Sequence, residues 1–397
     1  MKISSFFKYR NSTTTYIIGL LFTASSIFAS FSCTPAKTAK GGASDSTMMS
    51  TQKYEVKKIH IGSHISNRPL CSQVVTIGGK DKYLMLDESS IYIFDWQSGN
   101  LEDSISVKAC GELSNYSGFT FISSDSIAVY NDAQRKAFII NKTGKVLSEC
   151  VVPTDQDNPA NNVSIVALNS SRANVDGNNI ALSGGMLGCL NMAKGMGITK
   201  IPVSELVDLT NGKTKIAANY PSIYLDSNWG TNYLNQVYTA RDSKGYTLFS
   251  YPIMDKVLRY NSDFTQCDTI YMQSRYGEAI EPCKLSQEKI EEDEALEIKY
   301  YISQTSYSNI LFDPYRNLYI RMVEHPLSKW NVKETFVKPM SFIIADTEGN
   351  VLSETPIISG STKFLSSNMH VTKDGLAIAM QNQDENNIYF ACFNINR

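Results

Sequence analysis

Tyr319-Ile320-Arg321-Met322 puts an arginine in the middle of an apolar run. Alternation along an extended strand sets Tyr319 and Arg321 on one face and Ile320 and Met322 on the other. A guanidinium so placed either meets a carboxylate within the fold or faces a cavity, where its fork of donors would take an anionic group. Both readings stand on the residues alone. Arg241, Arg275, Tyr276, Trp229 and Trp330 extend the second, since recognition surfaces concentrate arginine and aromatic side chains. Only four histidines are present. His325, before Pro326 at a strand end, and His370 are candidates to line a pore or one face. His60 and His64 have the i, i+4 spacing that joins two ligands on a helix, but the strand pattern around them separates their rings, so no metal site is expected. Asp155, Asp157, Asn158, Asn161 and Asn162 cluster oxygen atoms without the spacing or terminal Glu of a calcium loop, and Asp384 to Asn387 read as a hairpin turn. No nucleophile elbow, phosphate-binding glycine loop or metalloprotease helix occurs, and no cofactor is expected.

Residues 1–32 carry a different kind of chemistry. Lys2, Lys8 and Arg10 precede an apolar stretch from about Tyr16 to Phe28, and Ala29-Ser30-Phe31-Ser32 leads to Cys33. The apolar run is shorter than the ~20 residues that a membrane span needs, and it reads as an export signal. A cysteine directly after it is the expected lipidation site, with residues 1–32 removed. The departure is Ser30, where leucine is usual. Removal of the three cations takes the formal charge from −2 to −5. Residues 33–53, rich in Thr, Ala, Lys, Gly and Ser, form a flexible tether, and the folded body starts at residue 54.

A 42% hydrophobic and 11% aromatic content supplies a large core and excludes disorder for the body. Mild acidity with no basic stripe excludes nucleic acid as a partner. Besides Cys33, seven cysteines remain at wide spacing with no C-x-x-C, which argues against zinc and redox motifs. Cys267–Cys283 is the one disulfide the spacing suggests.

The body repeats a hairpin. Lys136-Ala-Phe-Ile-Ile-Asn-Lys-Thr-Gly-Lys-Val-Leu-Ser-Glu149 and Met340-Ser-Phe-Ile-Ile-Ala-Asp-Thr-Glu-Gly-Asn-Val-Leu-Ser-Glu354 align with one inserted residue. Looser copies lie at 91–107, 206–217, 256–272 and 387–396, each preceded by another strand pair. Aligned at Phe94, Ile140, Val207, Tyr260, Ala345 and Phe393, the copies recur at intervals of 46, 67, 53, 85 and 48 residues. Four-stranded units at this spacing predict an all-β, six-bladed β-propeller over residues 54–397. Tyr54–Ile61 would close the ring against the C-terminal hairpin, removing an open edge. The long interval holds one helical insertion between blades four and five, Leu285 to Ile302, with Ser286 as its cap and Ile290, Leu296, Tyr300 and Tyr301 as its docking face.

The export signal, the six units, Leu311-Phe-Asp-Pro-Tyr-Arg-Asn-Leu-Tyr-Ile-Arg-Met-Val-Glu-His-Pro326 and the repeated hairpins resemble uncharacterised six-bladed propeller lipoproteins of Bacteroidetes-type bacteria, a domain-of-unknown-function family. The resemblance implies the fold and an envelope location, without an activity. Thr34-Pro35-Ala36-Lys37-Thr38-Ala39-Lys40 is basic where some surface lipoproteins of these bacteria carry acidic residues, which favours the periplasmic leaflet of the outer membrane over the cell surface for the expected anchor. The expected function is a non-catalytic propeller that binds a protein, peptide or glycan, consistent with 22 tyrosines and 17 phenylalanines. The alternative is a polysaccharide- or peptide-active hydrolase or lyase with carboxylates at the channel mouth. Oligomeric state is open.

Overall fold

Every one of the six aligned residues is followed by Asp or Asn: Asp95, Asn141, Asp208, Asn261, Asp346 and Asn394. In the computed structural model five of these side chains accept backbone N–H groups of the turn they begin, as in Ser98 N to Asp95 Oδ1 (2.8 Å) and Asn350 N to Asp346 Oδ1 (2.8 Å). A short polar side chain thus substitutes for a ladder partner where the strand ends. Glycine completes the device. Gly99 and Gly144 have φ of +73° and +79°, and a Cβ there would lie 2.0 and 2.1 Å from the carbonyls of Lys58 and Ser106 in the adjoining blade. Only glycine lets the turn approach its neighbour so closely.

The structure describes residues 53–69, 71–114, 117–154, 163, 167–184, 200–230, 233–327, 337–357 and 363–395. Cys33, Cys189, Trp330 and the oxygen-rich cluster at 155–162 lie outside them. Strand β1 (Tyr54–His60) opens the body. Blade one is β2 (Cys71–Ile77), β3 (Lys80–Asp87), β4 (Ser90–Asp95) and β5 (Leu101–Ser106). Blade two is β6 (Gly118–Ser123), β7 (Ser126–Asn131), β8 (Lys136–Ile140) and β9 (Val146–Val151). Blade three is β10 (Asn174–Asp176), β11 (Asn179–Ser183), β12 (Pro202–Asp208) and β13 (Thr214–Asn219). Blade four is β14 (Tyr238–Arg241), β15 (Thr247–Ser250), β16 (Lys256–Tyr260) and β17 (Cys267–Tyr271). Blade five is β18 (Ser306–Asp313), β19 (Leu318–Glu324), β20 (Met340–Asp346) and β21 (Val351–Ile357). Blade six is β22 (Phe364–Thr372), β23 (Gly375–Met380) and β24 (Asn387–Phe393), with β1 as its fourth strand.

Each blade is an antiparallel sheet of four strands in sequence order, except that β1 pairs with β24 from Tyr54 opposite Phe393 to His60 opposite Asn387. The expected ring closure is therefore present. The core divides into six apolar clusters, one in each seam between neighbouring blades, such as Ile91, Phe119 and Phe138 between blades one and two. Inner strands alternate side chains toward the two flanking blades, so both faces of a blade are buried and its innermost edge meets the channel.

The insertion between β17 and β18 forms two helices, Gln287–Glu292 and Glu294–Ser303, where one was expected. Asp293 divides them: its extended backbone ends the first and its carboxylate accepts Ala295 N (3.0 Å) to cap the second. Ser286 caps the first through Lys289 N. Ile290 and Ile302 are buried, and Tyr300 and Tyr301 pack on the cluster that holds Trp229 and Tyr251. Lys338 ties down the far end, donating to Gln304 O (2.9 Å), Tyr301 O (3.3 Å) and Ser306 Oγ (2.8 Å). Burial pushes its pKa down to about 8.

The suggested disulfide does not form. Cys267 lies exposed on the outermost strand β17, whereas Cys283 is buried beside Asn228, and all six cysteines among the described residues are free thiols. His60 Nδ1 meets Asn387 Oδ1 (2.8 Å) on β1, and His64 sits in the following turn. Asp384 is a turn residue, accepting from Asn387 Nδ2 (2.6 Å) and Tyr389 Oη (2.9 Å).

Candidate functional site

A cavity of about 620 Å³ opens at the end of the channel where the inner strands run into their second strands. All six inner strands contribute to it, through Gln73 to Thr76, Thr120 and Phe121, Asn174, Thr239 to Arg241, Ile310 to Phe312, and His370 and Val371. Size and position match the concave, largely preformed sites that take small ligands. Phe121, Leu311, Phe312 and Val371 give it apolar wall, and Arg172, Arg241, His370 and Tyr315 give it its ionisable groups.

Arg241 on β14 reaches across the seam to Asp176 on β10, Nη2 to Oδ2 2.5 Å, so its charge is compensated. Arg172 differs. It stands just before β10, donates through Nη2 to His370 Nδ1 (3.3 Å), and has no carboxylate partner among the described residues. Its Nε is buried with no hydrogen-bond partner among the described residues, as are Asn174 Nδ2 and Thr239 Oγ1 of the same lining. Each such atom costs about 1–3 kcal/mol unless a water or ligand oxygen meets it.

The proton on His370 can be placed from its partners. Arg172 donates to Nδ1, so Nδ1 is bare and Nε2 carries the hydrogen, donating to Asn368 Oδ1 (2.7 Å). Burial first, and the Arg172 charge second, hold this imidazole neutral, its pKa well below the ordinary value. Ser72 Oγ lies 3.2 Å from the same Nε2, and Asn169 Oδ1 accepts from Ser72 N (2.5 Å) and Oγ (3.0 Å). Tyr83 and Phe390 pack edge-on against the ring. Arg172 is thus braced by a neutral ring, which positions the guanidinium without neutralising it.

Across the mouth lies a strap. Tyr315, in the Asp313-Pro314-Tyr315-Arg316 turn of blade five, passes over blade six to blade one, where its Oη lies 3.0 Å from both Asp81 Oδ1 and Thr76 Oγ1. Arg316 fastens the same turn to blade six through Lys373 O (2.6 Å), Ile395 O (3.2 Å) and Thr372 O (3.3 Å).

The residues singled out in sequence fall in four places. Arg241 and His370 line the cavity. Arg321 and Tyr319 are fully buried in the seam between blades four and five. Among the described residues Arg321 has neither of its expected settings, since it lines no described cavity and forms no ion pair with a carboxylate. Its Nε donates to Ser250 Oγ (2.9 Å), its Nη atoms to Met254 O (2.7 Å), Tyr251 O and Met272 O (both 3.3 Å), and its plane lies 4.0 Å from the Tyr307 ring. Tyr319 Oη donates to Asp242 Oδ2 (2.6 Å), which holds the β14–β15 turn. Arg275, Tyr276 and His325 come together beyond that seam, the Arg275 guanidinium lying 5.0 Å from the Tyr276 ring and the Tyr276 ring 6.3 Å from the His325 ring. There Glu354 accepts from Ser341 Oγ (2.6 Å), Ser274 Oγ (2.6 Å) and Arg275 N (2.7 Å). Because Ser341 spends its hydrogen on Glu354, His325 Nε2 must donate to Ser341 Oγ (2.8 Å), and His325 cannot act as base toward this serine. Burial and Lys338 push the His325 pKa down to about 4. Trp229 is a core residue whose Nε1 donates to Ile223 O (2.8 Å).

Arg172 went unnoticed in sequence because Ser170-Ser171-Arg172-Ala173-Asn174 reads as a polar loop. The usable signal is its position immediately before the inner strand of a blade, where a side chain meets the channel.

Six four-stranded blades around a cavity lined by every inner strand define a six-bladed β-propeller. The sequence matches the domain of unknown function family DUF4221 over residues 48–356, and the chain belongs to that family. A family member from Bacteroides vulgatus is similar in structure, with a TM-score of 0.68 at 18% identity over 87% of this chain and 98% of that one. A presumed exported protein from Bacteroides fragilis has a TM-score of 0.50 at 12% identity over 86% of this chain and 95% of that one. No curated protein matches the chain in sequence. The family match contains Arg172 and Arg241 and ends before His370.

Proposed function

We propose that this protein is an exported, lipid-anchored propeller that holds a small ligand, or the end of a peptide or glycan, in its central cavity without converting it. The observation that carries this reading is the cavity lining: two arginines, one neutral histidine and several amide and hydroxyl groups, with no Asp or Glu among its lining residues and with Asp81 and Asp176 behind it engaged by Thr76, Tyr315 and Arg241. Hydrolysis or elimination by facing carboxylates would need at least one acidic group at the reacting centre, so the lining supports binding over that alternative.

Envelope location rests on residues 1–33 and on the likeness to a protein described as exported. No helix among the described residues is long and apolar enough to cross a membrane, so attachment would run through the Cys33 lipid. The basic residues after Cys33 favour the periplasmic leaflet over the cell surface.

Equilibrium capture tests the function. The protein purified from cells is incubated with pools of envelope-derived peptides and oligosaccharides, separated by ultrafiltration, and its retained small molecules are identified by mass. A retained compound of unchanged mass is expected. Cleaved products would move the protein to the enzyme reading, and retention of nothing from any pool would overturn the binding reading.

A further inference from the structure

Resting on the binding reading above, the structure assigns the cavity a ligand class and an anchor: a monocarboxylate on an apolar body, its carboxylate held by Arg172. Arg241 is compensated by Asp176 and His370 is neutral, which leaves Arg172 as the uncompensated cation of the lining. One negative charge matches it. A dianionic phosphate ester would bring a second charge with no partner into a partly dry site, and that is costly.

Hydrogen-bond accounting agrees. A guanidinium offers five N–H donors in a fork that fits a planar carboxylate in bidentate fashion. Among the described residues Arg172 gives one donor to His370 and keeps Nε unused, and Asn174 Nδ2 and Thr239 Oγ1 of the same lining are also without partners. Arg172 Nε and Asn174 Nδ2 are donors in want of acceptor oxygens, and the Thr239 hydroxyl can donate beside them, a set that complements an oxyanion. The apolar wall from Phe121, Leu311, Phe312 and Val371 supplies the surface for the rest of the ligand. His370 is a positioning residue: its bare Nδ1 accepts from Arg172 and fixes the fork, while its neutrality leaves the charge of Arg172 for the ligand.

The test is calorimetric titration of the full protein purified from cells with a graded panel of N-acyl amino acids, each paired with its carboxamide, plus phenyl phosphate and sulfate. At least one carboxylate is expected to bind about tenfold or more tightly than its own amide, a difference of about 1.4 kcal/mol. Phenyl phosphate and sulfate should bind more weakly. Arg172→Gln should erase the acid–amide difference with an unchanged unfolding midpoint, and Arg172→Lys, which keeps charge but loses the fork, should retain part of it. Equal binding of acid and amide, stronger binding of phenyl phosphate, no binding by any acid of the panel, or an Arg172→Gln protein that still prefers the acid would each overturn the inference. Capture of neutral compounds from the envelope pools beside such a result would sink the ligand class alone; empty pools would sink the binding reading with it.

Discussion

Arg172 and Arg321 are both arginines set among buried groups without a carboxylate partner among the described residues, yet they occupy opposite situations. Arg321 lies in a seam between blades, and its donors go to three carbonyls and a hydroxyl while its plane rests on a tyrosine ring. Arg172 lies at the cavity, braced by a neutral imidazole, with Nε left over. Burial depresses both pKa values, that of Arg321 to about 10. The contrast teaches that a buried arginine is diagnosed by its spare donors rather than by its burial. One whose donors are consumed by backbone is a structural tie, and one with donors to spare is a binding group.

The largest effect that would break this comparison belongs to the seam. Arg321→Met should destabilise the propeller by about 3–5 kcal/mol, because four acceptors lose their donor inside a closed interface. Chemical denaturation measures it, and a loss under ~1 kcal/mol would remove the structural role. Next comes acid sensitivity. The unfolded state binds protons at His325 near pH 6.5, whereas the folded state resists protonation down to about pH 4. Stability from this site is therefore complete above about pH 6.5 and falls as pH drops toward 4, by roughly 3 kcal/mol in total. His370 adds in the same direction. His325→Gln should flatten the stability profile between those pH values, and an unaltered slope would contradict the buried neutral imidazole. The smallest effect is at Cys267, exposed and unpaired: Cys267→Ser should leave stability within about 0.5 kcal/mol, and reduction should not change the unfolding midpoint. A large loss on either treatment would restore the disulfide.

Much of the fold was legible because propeller blades repeat a local device. The apolar strand, the Asx residue ending it and the turn glycine recur six, six and at least four times respectively at blade-like spacing, and each has a local physical reason. Ring closure followed from the need to cover an open edge. The division of the helix at Asp293 was less visible, since an aspartate continues a helix or caps one with nearly the same sequence around it. The site was the least legible part. Arg321 drew notice through its apolar neighbours, but in a blade buried on both faces those neighbours mark a seam. The cavity instead gathers single residues from six strands spread over about 300 positions, such as Gln73, Arg172 and His370, and no local pattern records that convergence.

The most direct test sets the two arginines side by side: unfolding free energy and carboxylate affinity measured on the same preparations of Arg172→Gln and Arg321→Met. A crossed result is expected. Arg172→Gln keeps its stability within ~1 kcal/mol and loses acid-over-amide preference, while Arg321→Met loses stability and, where folded, keeps that preference. The reverse pattern, or parallel losses in both variants, would contradict it.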